Sequence, residues 1–187
     1  MWKVYKDFYY KTMKYENSCF PCSLHMVLAN LGYIGYKYEY ESVIEDLWNT
    51  FHKDLNKSAP NEKQVHEYLM KTPYLDGKAS LYTPTSFQNR VSAQAVCDKL
   101  KSIFLKERKN VGMVAGVGHA HVFYKKGNKG YMHVHPSPDE DFITCEEIKL
   151  KDVIVLEGKG KEYAIGIVYD VNGEEVVQPA HFLLTII

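Results

Sequence analysis

Tyr15-Glu16-Asn17-Ser18-Cys19-Phe20-Pro21-Cys22-Ser23-Leu24-His25-Met26-Val27-Leu28-Ala29-Asn30-Leu31-Gly32 is the stretch from which the rest of the chain can be placed. Leu24, Val27, Leu28 and Leu31 recur at i, i+3, i+4 and i+7, and predict a helix from Pro21 or Cys22 to Leu31. Ser18 suits its N-cap, Pro21 its first turn and Gly32 its stop. Cys19 therefore falls at a helix N-terminus, where unpaired backbone N–H groups and the helix dipole favour a thiolate. The thiolate is the nucleophilic form, and a free cysteine titrates near ~8.5. A single cysteine is more often a small buried hydrophobe, so a catalytic role needs a partner elsewhere in the chain.

Working outward, residues 1–17 read as irregular or short-stranded. Helices are expected over Glu41–Asn49, over Asn61–Lys71 with Asn61 as cap, and from about Ser92 to Lys106. Residues 72–90 are rich in turn signals, with Pro73, Asp76-Gly77 and Pro84. After Arg108 the pattern changes to strands, at Val111–Ala115, His119–Lys125, Tyr131–His135, Lys151–Leu156, Tyr163–Asp170, Glu175–Val177 and Ala180–Ile187. Helices first and an antiparallel sheet after make an α+β domain, one unit over residues 1–187. The apolar end Phe182–Ile187 is expected to be buried rather than left at an open edge, and offers a strand through which copies of the chain could associate.

The partner for Cys19 comes from a second block, Gly118-His119-Ala120-His121-Val122-Phe123-Tyr124-Lys125 followed by Gly130-Tyr131-Met132-His133-Val134-His135-Pro136. Together the two blocks resemble the bacteriocin-leader-processing peptidases, papain-like cysteine peptidases that cut after a double glycine. Cys19, Pro21, Ser23-Leu24, Met26-Val27-Leu28 and Leu31-Gly32 fit that family's nucleophile helix. The family's catalytic His opens one strand and an Asp-Pro closes the next. Here His119 stands at the first place and His135, before Pro136, at the second. Residues 143–148 and 153–156 are similar to the segment after the Asp-Pro.

The resemblance implies a papain-like fold, with the nucleophile helix packed on a C-terminal antiparallel sheet. It implies Cys19 as nucleophile, His119 as general base and acid, and His135 as the residue that orients the imidazole. The implied activity is thiol hydrolysis of a peptide or amide bond, with a peptide or protein substrate and no cofactor. Two positions depart from the pattern. Met13 stands where the family has its oxyanion-hole Gln, leaving Asn17 or a backbone N–H as the donor. His135 stands for the Asp, with Asp139 and Asp141 nearby as sources of the missing charge. These departures motivate a second reading, a catalytically weakened domain on the same frame that binds a peptide or protein.

Other chemistries compete for the same residues. His119 and His121 share a strand face, as do His133 and His135, and with Cys19 and Cys22 they offer zinc-type ligands. Cys19-Phe20-Pro21-Cys22 has the redox C-x-x-C form, but the α-then-β order argues against a thioredoxin-like fold. Cys97 and Cys145 read as structural. The 23 basic and 23 acidic side chains cancel, so no global charge draws the chain to nucleic acid or to an anionic membrane. No apolar run approaches the ~20 residues needed to span a bilayer, and no apolar segment of signal-peptide type follows Met1. The expected location is cytoplasmic.

Overall fold

The computed structural model of the chain describes residues 2–13, 18–33, 64, 67, 75, 77–127, 130–160 and 162–187. The helix expected over Glu41–Asn49 lies outside these residues. Of the one expected over Asn61–Lys71, Gln64 and Glu67 are described, both helical.

Near-continuous apolar runs build a sheet whose central strands are buried on both faces. Its strands are β3 (Ala79–Tyr82), β4 (Val111–Gly116), β5 (Ala120–Lys125), β6 (Tyr131–His135), β7 (Thr144–Glu157), β8 (Tyr163–Val171), β9 (Glu174–Ala180) and β10 (Phe182–Ile186). They run in the order β3-β10-β4-β5-β6-β7-β8-β9, with every neighbouring pair antiparallel. A separate ribbon of β1 (Trp2–Tyr5) and β2 (Phe8–Lys11) precedes it, turning through Lys6 and Asp7 at positive φ. β7 serves two partners: its start pairs with β6 and the rest with β8, across an irregularity between Leu150 and Asp152. Such a break bends a strand and lets one sheet wrap two layers of core.

The first helix, α1 (Cys19–Leu31), packs on one face against Val114, Val122, Val134 and Leu184. It begins earlier than the periodicity predicts, so Cys19 is its first residue and the Cys22 N–H bonds to the Ser18 carbonyl at 2.8 Å. Gly32 ends it in the left-handed region at φ 86°, with its N–H on Ala29 O and that of Tyr33 on Leu28 O. The helix comes close to β4 at Gly112, where an added Cβ would overlap Val27 Cγ1. The Asn30 side chain bonds to both the N–H and the carbonyl of Tyr9, which clamps the N-terminal ribbon onto α1.

On the opposite face lies α2 (Arg90–Lys101), capped by Asn89 Oδ1 accepting from the Ser92 N–H at 2.8 Å. Its core partners include Met113, Phe123, Ile165, Ile167 and Leu183. The helix expected to reach Lys106 instead widens into a π-type turn over Ser102–Lys106. Lys125, buried on β5, donates to the carbonyls of Phe104 and Glu107 and closes that turn.

The architecture is thus α+β, with a large antiparallel sheet and, among the described residues, one α-helix on each face. The turn-rich segment after residue 72 supplies β3 as well as turns. The expected last strand is buried as foreseen, but it lies inside the sheet between β3 and β4. β10 is thus an interior strand, paired on both sides. Among the described residues, no helix is long and apolar enough to cross a membrane.

Candidate active site

α1, the β4–β5 hairpin and the end of β6 converge at one end of the sheet. The hairpin loop is Val117-Gly118-His119, with Gly118 at φ 68°, a conformation that suits glycine. Gly116 is also required, because a Cβ there would overlap the His119 carbonyl. His119 therefore stands immediately before β5 rather than within it.

Cys19 is half-buried, and the N–H groups of Ala120, Phe20 and Cys19 itself act on its sulfur. These donors favour the thiolate, but burial outweighs them and the thiol is raised above its ordinary value. The helix terminus thus supplies donors to the sulfur, as expected, while desolvation acts against them. Cys22 is fully buried and faces the Lys11 carbonyl. Burial pushes the Cys97 thiol up to about 11 and the Cys145 thiol up to about 12.

His119 Nε2 lies 2.9 Å from the Pro136 carbonyl. A carbonyl only accepts, so Nε2 carries the proton and Nδ1 is left as the base. His135 meets the same ring edge-on at 4.7 Å between centroids. The hydrogen bond that orients His119 thus comes from the main chain of Pro136, while His135 packs against the ring. Asp139 accepts from the Asp141 N–H in the following turn, and both carboxylates are on exposed residues. Among the described residues, no hydrogen bond joins Cys19 Sγ to His119.

Met13 is buried in the core beside α1, and its N–H bonds to Ser137 O at 3.1 Å. It anchors the loop after β2 to the segment after β6. Asn17 lies outside the described residues.

The strand register joins Val122 to Val134 and Phe123 to His133, so His121 and His135 lie opposite one another. Both histidine pairs fall on the Phe123 side of the sheet, away from α1. His121 stacks on His135 at 4.5 Å and on His133 at 5.2 Å, and meets His119 edge-on at 5.5 Å. His133 Nδ1 bonds to Glu146 Oε1 at 3.2 Å, and His121 Nδ1 lies 2.9 Å from His133 Nε2. A carboxylate accepts, so His133 carries its proton on Nδ1 and its Nε2 accepts from His121. Burial lowers His119, His121 and His133, and takes His121 down to about 3. Among the described residues, no group of three or more His, Cys, Asp or Glu side chains is arranged to hold a metal ion.

Three contributors escape a reading of the sequence. The Pro136 carbonyl and the Ala120 N–H belong to the main chain, which no residue type encodes. Glu146 faces His133 only because of the β6–β7 register. Comparison with protein-family models, with curated proteins and with solved structures returns no match.

Proposed function

We propose that the chain is a papain-like thiol hydrolase acting on a peptide or amide bond, with Cys19 as nucleophile and His119 as base. One observation carries the reading. The Cys19 sulfur, at the N-terminus of α1, is acted on by the Ala120 N–H, one residue from a histidine whose Nε2–H is held by Pro136 O. In the reaction, His119 Nδ1 takes the thiol proton as sulfur attacks the carbonyl carbon. The same nitrogen returns that proton to the departing amine, and water then releases the acyl group from sulfur. In this reading the developing oxyanion takes its donors from the Cys19 N–H, released from the sulfur, and from Asn17 on sequence grounds. The His119 ring must swing from the neighbouring imidazoles toward the sulfur for the first step.

The test is labelling by a peptide-like electrophile, such as a peptidyl chloromethyl ketone, with mass mapping of the adduct. Selective alkylation of Cys19, lost in Cys19→Ala and slowed at least about tenfold in His119→Ala, is expected. Equal labelling in His119→Ala would remove that residue as base.

Specific observations favour a second reading, a peptide- or protein-binding domain on the same frame. The Cys19 thiol is raised, Met13 fills the place of an amide donor, and His119 is turned toward His135. Partner binding that persists in Cys19→Ala, without turnover in the native chain, would select it.

A further inference from the structure

We infer that the four-imidazole array is an acid-triggered latch: while neutral it seals β5 against β6 and seats His119, and on protonation it parts those strands at the Cys19 end. The geometry carries the argument. His119, His121, His133 and His135 lie within 4.5–5.5 Å of one another in the four ring pairs that touch. Neutral rings at these spacings stack or meet edge to face. Charged, the same rings repel across gaps too narrow for screening water. The stack is closed from β5 by Phe123 and from β8 by Tyr169, which both lie against His133.

Among the described residues, the groups that act on the rings are few. They are the rings themselves on β5 and β6, Glu146 on β7, and the Pro136 carbonyl; the Tyr169 phenol on β8 also faces them, itself raised by burial and by Glu146. A first proton has a place to rest. The hydrogen-bonded run His121–His133–Glu146 can carry it as an imidazolium on His133 beside the carboxylate. A second proton, on His121, meets no carboxylate among the described residues. It sits one stacking distance from a charge already present, and parting the strands is the relief.

The sign follows from linkage. Rings lowered in the fold take up protons on opening, where they titrate near ~6.5. Opening is therefore suppressed above that pH. It grows by up to about tenfold per pH unit below it for each ring that gains a proton. The latch itself does not depend on Cys19 chemistry. Its effect on His119 as a base rests on the hydrolase reading above.

The test uses the full chain and two readouts by nuclear magnetic resonance from pH 7.5 to 4.5. One is the titration of each histidine ring; the other is amide exchange, expressed as protection. The expected result is a common midpoint for His121 and His133, coinciding with loss of protection at Val122, Phe123 and Val134. The β8–β9 amides should keep theirs. In His121→Phe, which keeps the stacked ring without its proton, the loss should move at least half a pH unit lower; His121→Gln serves if that chain fails to fold. Rings titrating singly near ~6.5 with β5–β6 intact would overturn the latch. Protection lost everywhere at once would overturn it too, by assigning the change to global unfolding. Failed labelling of Cys19 at pH 7.5 would refute the hydrolase alone and leave these outcomes untouched.

Discussion

Cys19 holds two opposed influences on one sulfur. The N–H groups at the start of α1 pull toward the thiolate, and desolvation pushes harder toward the thiol. Alkylation by iodoacetamide should therefore be slow at pH 7 and rise through pH ~9, above the inflection of an ordinary thiol. Rates measured by mass mapping check this, with the fully buried Cys22 and Cys97 as internal slow standards. A plateau reached below pH ~8 would mean that His119 already contacts the sulfur in solution. At this scale the sequence was informative about side chains and silent about the main chain. Cys19 could be placed from apolar spacing, and His119 was singled out by the resemblance. The Pro136 carbonyl, which fixes the His119 tautomer, reaches it only through the path of β6 and the loop after it.

Elements meet most tightly where side chains are missing. α1 lies against β4 because Gly112 has no Cβ to strike Val27. Gly112→Ala should destabilise the fold by about 1–3 kcal/mol, the usual cost of overpacking. Val27→Ala in the same chain should recover part of it, and chemical denaturation of the single and double variants measures both. The π-type turn after α2 makes the converse case. Its carbonyls at Phe104 and Glu107 take their donor from Lys125. Lys125→Met keeps the stem and removes the donor, with an expected loss of about 1–3 kcal/mol by the same assay.

Elements of regular period were legible in advance: α1, α2 and strands β4 to β6 lie within a few residues of their expected bounds. β7 was not. Its first part, Thr144–Ile148, is polar on the outside and spends its pairing on β6, so it lacks the apolar run that marked Lys151–Leu156. The π-type turn was equally hidden, since the apolar spacing of Ile103 and Phe104 suits a continuing α-helix.

For the molecule as a whole, buried imidazoles set the response to acid. His25 is fully buried on α1 and lowered to about 3 by burial and by Lys11. A lowered histidine stays neutral in the fold while the unfolded chain takes up a proton at about 6.5. Stability is then complete above that pH and falls as pH drops from about 6.5 toward 3. The slope is about 1.4 kcal/mol per pH unit for such a ring. Urea unfolding at pH 7 and pH 5 should show the loss, and His25→Phe should flatten the dependence if the helix accepts the ring. The α+β class was readable from the order of helices and strands. The two-faced sheet was not, because which face a strand turns to which helix depends on register.

The position of β10 has a consequence for synthesis. β3 and β4 never touch as neighbours, and the strand that joins them is the tenth in chain order. A ribosome releases β3 through β9 before the residues that complete the middle of the sheet have emerged. Until then the edges of β3 and β4 that β10 will pair stand open. Stable folding must wait for Phe182–Ile186 to leave the exit tunnel. A nascent chain arrested before His181 should be digested by protease, whereas one extended by a long linker past Ile187 should resist it.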